Sequence, residues 1–210
     1  MVIAYGCCVG SWEKFEKNIV PRTVGRQVLG LCGQPSIGVA YNSILAAYQN
    51  RGLDALVLLH DDLELVDPDA EEKFLAAVAE PDVALVGVIG GSPDPPSITW
   101  WENGPRAGHQ RTDSMMLDFG RSPGPVDVLF IEGSIMVFSP WAIENLKFDT
   151  LYPGFLGYDD ICVTAKLVHG KRVVVTDVDT HHHSTVGFKS EAIRDSWNEA
   201  DRLFRGKWGT

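Results

Sequence analysis

Three clusters of side chains in this 210-residue chain carry the means to do chemistry. The first is His60-Asp61-Asp62, directly after the apolar run Leu56–Leu59. Two adjacent carboxylates at the end of a buried strand sit where open α/β sheets place their ligand crevices. Side by side they raise each other's pKa, a cost that a divalent cation removes, and hard oxygen ligands suit magnesium or manganese. A solvated loop whose aspartate caps the next helix is the other reading. The second cluster is Asp159-Asp160, at the start of a helix where the dipole favours ionised carboxylates. Such a group can serve as general base toward a substrate hydroxyl, or simply cap the helix. The third is His181-His182-His183. Imidazole is a frequent ligand for manganese and zinc. In an extended segment His181 and His183 face one way and His182 the other, so one face can reach an ion.

The elements that must position these groups alternate. Val2–Cys8 is compact and apolar, a first buried strand, and Val28–Leu31 is a short second one. Between them Trp12–Val20 fits a short helix. Ile37, Ala40/Tyr41, Ile44/Leu45 and Tyr48 recur at helical spacing, with Ser36 as cap. Leu53–Leu59, interrupted only at Asp54, and Val83–Ile89 are apolar runs, as in strands buried on both faces of a parallel sheet. A helix from Asp67-Pro68 to about Ala79 separates them. Val126–Phe138 is strand-like and broken at Glu132-Gly133. Next come a short helix after Pro140, a Pro153-Gly154 turn and a helix over Asp159–His169 that stops at Gly170. That helix turns Ile161, Ala165 and Val168 inward. Arg172–Val178 is the last clear strand, and Ser190–Trp208 closes the chain as an amphipathic helix. The alternation predicts an α/β sandwich with a mostly parallel sheet, in one domain over residues 1–210. Residues 90–125, rich in Pro and Gly, read as a loop insertion. Its Trp100-Trp101 pair offers either an exposed stacking or lid surface, or a plug on the core. Arg106, Arg111 and Arg121 there are either partners for an anionic ligand or ordinary solvated arginines.

Composition narrows the partners. Eighteen Lys and Arg against 28 Asp and Glu leave a net charge of −10, which disfavours a nucleic-acid surface. The apolar runs are too short to cross a bilayer, and the first twenty residues lack a basic start leading into an apolar block. Cys7, Cys8, Cys32 and Cys162 form neither a CxxC pair nor zinc-finger spacing, which suits reduced thiols in a cytoplasmic protein.

In this order the clusters resemble glycosyltransferases of the GT-A fold. The likeness is greatest to the inverting family 2 and its short streptomycin-biosynthesis-protein-like relatives. The family's Asp-x-Asp strand end corresponds to Leu58-Leu59-His60-Asp61-Asp62, and its helix-borne Asn to Asn42. The acceptor segment corresponds to Glu132-Gly133-Ser134, Phe148-Asp149 and Gly157-Tyr158-Asp159-Asp160, and the late metal-binding His falls among His181–His183. The similarity spans roughly residues 35–187. It implies a GT-A (nucleotide-diphospho-sugar transferase) three-layer sandwich with a mostly parallel central sheet. It also implies transfer of a sugar from a nucleotide diphosphate donor to a hydroxyl acceptor, with inversion. In that reading Asp62 and a late histidine, His181 or His183, hold Mn2+ or Mg2+. His60, Asp61 and Asn42 line the cofactor site, Asp160 is the base, and Asp159 orients the acceptor. Three positions depart from the family. His60 replaces the first Asp, residues 23–34 contain no acidic residue, and Cys162 stands where an acid is usual. These departures leave open a non-catalytic relative that binds a sugar nucleotide or glycan. A metal-dependent hydrolase ranks below both, since no HExxH signature precedes the histidine run.

Overall fold

The computed structural model describes residues 1–94, 97–152, 154–184 and 190–209. Pro153 of the expected turn and Gly187 at the end of the family likeness lie outside the described residues.

A seven-stranded sheet forms the centre, in the order β2 (Gln27–Cys32), β1 (Ile3–Val9), β3 (Ala55–His60), β11 (Ile135–Phe138), β5 (Val83–Gly87), β12 (Arg172–Val175), β9 (Val126–Asp127). β1 is parallel to β2 and β3, and β5 is parallel to β12. β11 runs against both its neighbours, and β9 runs against β12. Five of the seven strands therefore point one way. β3 is buried along Ala55–Leu59 and β5 throughout, so both faces of the sheet are covered. α2 (Ile37–Tyr48) and α4 (Pro140–Asn145) pack on the sheet and on each other, and α3 (Ala70–Val78) packs on β3, β5 and β11. Leu56, Leu58, Leu59 and Leu85 are fully buried, and side chains of this size contribute about 1.5–3 kcal/mol each.

The helix starts follow local chemistry. Ser11, Ser36, Ser139 and Ser190 each accept a backbone N–H at the first turn of α1 (Trp12–Asn18), α2, α4 and α6 (Glu191–Trp208). α3 begins at Ala70 rather than at Asp67, because the Asp67 side chain accepts the Asp69 amide in a turn and pairs with Lys73. α5 (Gly157–Val163) continues as a π turn over Thr164–Val168, and that widened turn leaves Val168 exposed instead of inward.

Two expectations are corrected. The apolar run Val83–Ile89 is not one strand: it divides into β5 and β6 (Ile89–Gly91), which belong to different sheets. Residues 90–125 are not a plain loop either, since β7 (Arg106–Thr112) and β8 (Met116–Asp118) lie within them. A second, six-stranded sheet runs β10 (Phe130–Ile131), β6, β7, β13 (Thr180–His182), β4 (Leu63–Leu65), with β8 beside β7. Glycine permits the junction, because a Cβ on Gly90 would overlap the Phe130 carbonyl oxygen. Pro and Gly here mark close backbone approach between short strands rather than absence of structure. Among the described residues no helix is long and apolar enough to cross a membrane.

Candidate active site

The site lies where β3 and β13 end side by side. β13 is antiparallel to β4, with His182 opposite Leu63 and His181 opposite Glu64. The strand alternation is as expected, but the face that meets Asp62 belongs to His182. His182 Nε2 stands 3.3 Å from Asp62 Oδ1, and His60, Asp62 and His182 offer ligand atoms within 4.8 Å of one another. His181 and His183, expected beside Asp62, gather instead with Glu64 on the opposite face. A period-two strand cannot present neighbouring residues to one ion.

The electrostatics suit a cation ligand set. Burial raises the Asp62 carboxyl, but the His182 imidazole and the Lys14 ammonium, 3.2 Å away, outweigh it and hold the group well below the usual carboxylate range. Burial pushes the His60 imidazole below its ordinary value, against the pull of Glu132, which favours the neutral ring that a metal needs. Tyr158 Oη lies 2.7 Å from His60 Nε2 and fixes the ring, leaving the other nitrogen for a ligand.

Gly133 lets Tyr158 take that position. A Cβ at Gly133 would overlap the Tyr158 ring. Gly133→Ala is expected to displace Tyr158 and destabilise the fold by about 1–3 kcal/mol, as overpacking does. A lowered Tm on thermal unfolding, together with a broken Tyr158–His60 hydrogen bond, would confirm it.

Asp61 and Asn42 are spent on backbone. Asp61 Oδ2 accepts from the Gly10 and Ser11 amides at 2.8 and 2.6 Å, tying the loop after β1 to the end of β3. The Asn42 side chain donates to the Phe148 carbonyl and accepts from the Phe148 amide, both at 2.8 Å. Asn42, expected at the cofactor site, thus clamps the segment that leads to α5. Both of these hydrogen bonds go to backbone 106 residues away, which gives Asn42 a structural task in the fold.

The two aspartates of α5 part company. Asp160 is 1% exposed and accepts from Tyr152 Oη, Trp208 Nε1 and Lys207 Nζ at 3.1, 2.9 and 3.0 Å. Two of these three donors belong to the closing helix α6. Asp159 instead lines a cavity of about 810 Å³, and its buried Oδ1 has no hydrogen-bond partner among the described residues. Burial pushes its carboxyl up to about 8, with Glu132 and Asp160 adding to the rise. Asp160 was expected as base with Asp159 orienting the acceptor, but it is Asp159, not Asp160, that faces the cavity.

The cavity joins these groups. His60, His182, Glu132, Tyr158 and Asp159 share its wall with Trp100, Trp101 and Phe119. Trp100 is buried edge-on against Phe119, whereas Trp101 is 46% exposed, so the pair is at once plug and wall. Arg106 also lines the cavity, with its guanidinium 4.3 Å above the Phe119 ring. Arg121 is held by Asp177 and Asp179 at 3.0 and 2.6 Å. Sequence reasoning placed Glu132 and Tyr158 in the acceptor segment but gave neither side chain a role of its own. The break of Val126–Phe138 at Glu132-Gly133 was a second signal.

The chain and its fold have counterparts among known proteins. A curated relative, the streptomycin biosynthesis protein StrF of Streptomyces griseus, is 35% identical over 198 residues, covering 89% of this chain and 69% of that protein. Among solved structures, GalNAc-T7 with UDP, GalNAc and Mn2+ superposes with a TM-score of 0.57 at 10% identity, covering 89% of this chain and 44% of that one. The mannosyltransferase PcManGT of Pyrobaculum calidifontis, in complex with GDP-Man and Mn2+, gives 0.54 at 13% identity, covering 97% and 64%. At such identities these two establish the fold alone, and that fold is the GT-A glycosyltransferase sandwich. The family model described as "Glycosyltransferase like family" matches residues 3–204, and the chain belongs to that family.

Proposed function

We propose that the protein is a divalent-cation-dependent, inverting glycosyltransferase that moves a sugar from a nucleotide diphosphate to a hydroxyl acceptor, with Asp159 as base. One observation carries the reading. A buried carboxylate oxygen with no partner among the described residues and a histidine–aspartate donor cluster flank the same aromatic-walled cavity.

Two imidazoles and one carboxylate, from His60, His182 and Asp62, are a chemically sound set for a borderline ion such as manganese. When bound, that ion supplies positive charge to the oxygens of the departing diphosphate. The chain's own groups do the rest. Asp62 is held ionised, and Tyr158 keeps the His60 ring in place. Trp100, Trp101 and Phe119 give the acceptor flat apolar faces that exclude water. Asp159 takes the acceptor hydroxyl proton as the oxygen attacks the anomeric carbon from the side opposite the diphosphate. Asp160, turned toward α6, holds α5 in register.

The donor set makes a specific prediction. Imidazole favours manganese over magnesium, so Mn2+ is expected to bind more tightly and to support faster turnover than Mg2+ at equal concentration. Titration calorimetry and a turnover assay with each ion check this.

The deciding experiment is hydrolysis and transfer from a panel of nucleotide sugars with Mn2+, using wild type and Asp62→Ala. Turnover that needs both the ion and Asp62 supports the proposal. Turnover indifferent to both sinks it, and donor binding without transfer to any acceptor turns the reading to a non-catalytic binding protein.

A further inference from the structure

We propose that the opposite face of β13 carries a second divalent-cation site, built from His181, His183 and Glu64 with Asp113, and suited to a zinc-class ion. It is independent of the glycosyl-transfer reading.

The site follows from the ladder. Glu64 stands directly opposite His181 in the β4–β13 pair, and His183 follows two residues on, on the same face. His181, His183 and Glu64 present ligand atoms within 4.8 Å of one another. Asp113 Oδ1 approaches both rings, 3.0 Å from His181 Nε2 and 3.4 Å from His183 Nδ1. Glu64 Oε2 lies 3.4 Å from His183 Nε2, while Arg22 takes the other carboxylate oxygen, Oε1, at 2.6 Å. The guanidinium therefore orients Glu64 and leaves the inward oxygen for a ligand, as outer partners of metal sites do. The Asp113 segment is anchored in turn, because its amide donates to the Ser184 carbonyl at 3.1 Å.

The two imidazole rings lie 3.9 Å apart, tilted by 40°. Two protonated rings so close would repel, whereas two neutral rings converging on one cation are a common arrangement. Three converging donors, two imidazoles and one carboxylate, suit zinc-class ions rather than magnesium or calcium, with Asp113 beside the rings as their orienting partner. The side chains are partly exposed, His181 at 18% and His183 at 25%, so an ion can enter from solvent. Such an ion would pin β4, β13 and the turn after β7 together. It would thereby hold His182 toward the cavity from behind.

The test counts ions. Purified, metal-stripped protein is dialysed against Zn2+ and the bound zinc is measured by mass spectrometry, for wild type, His181→Ala/His183→Ala and Asp62→Ala. The expected result is that the histidine pair variant binds one ion fewer than wild type, while Asp62→Ala keeps the ion in question. Added Zn2+ should raise the Tm of Asp62→Ala but not of a variant that combines all three substitutions. His181→Gln/His183→Gln retains hydrogen-bonding side chains and serves if the alanine pair fails to fold. Equal zinc counts in wild type and the histidine pair variants overturn the proposal and leave a network of ion pairs. Loss of all zinc in Asp62→Ala alone overturns it equally. Neither result depends on any transfer activity.

Discussion

Asp159→Asn is expected to lower kcat by about 10²–10⁴-fold, the contribution of a positioned general base, while the fold is retained. Asparagine preserves shape and removes only the proton acceptor at the buried Oδ1. Because burial raises the carboxyl to about 8, wild-type turnover should climb with pH up to that region and then level. A bound cation would draw the limb to lower pH. Stability should move the other way. In the unfolded chain this aspartate titrates near 3.8, so between that value and 8 the folded state holds a proton the unfolded state has lost. Folding stability contributed there is full at low pH and falls as pH rises, at up to about 1.4 kcal/mol per pH unit. The asparagine variant escapes that fall. Denaturation of metal-free protein at pH 5 and pH 9 checks it, with the variant gaining on wild type at the higher pH. A variant of unchanged kcat would remove Asp159 from the reaction.

Asp160→Ala should instead act on stability, by about 2–4 kcal/mol, because it removes charge-assisted hydrogen bonds from a buried site. Tyr152 and Trp208 lose their acceptor, and Lys207, 38% exposed, keeps its ion pair with Asp149 and moderates the cost. The loss should loosen α6 first, since Lys207 and Trp208 both belong to its last turn. Chemical denaturation measures the total, and hydrogen exchange locates it in α6. A stable Asp160→Ala protein with abolished transfer would return the base role to Asp160 and refute the assignment of Asp159.

These two neighbours show where reading the chain runs out. Adjacent carboxylates at the start of a helix are equal in sequence. Only the docking of α6, which brings Lys207 and Trp208 across 47 and 48 positions to Asp160, makes one structural and leaves the other facing the cavity. The histidine run is a similar case. Alternation in an extended segment, and hence two opposite faces, followed from the residues alone. Which face meets Asp62 depended on how β13 pairs with β4, a long-range register. Asn42 had the right place on α2, yet its partner is the backbone of Phe148, 106 residues away.

What the chain determined by itself was the order of its elements. Apolar runs set β1, β3 and β12, and period-3.6 patterning with serine caps set α2 and α6. His60-Asp61-Asp62 stood out because two carboxylates after a buried strand are costly without a purpose. The second sheet was hidden, since β6 and β8 are only three residues long, β7 is mixed in polarity, and glycine there permits close approach instead of breaking structure. Local pattern selects elements through backbone and burial preferences that act within a few residues. The partner of each polar side chain is settled only when distant segments pack, because a hydrogen bond depends on ångström distances that neither spacing nor composition encodes.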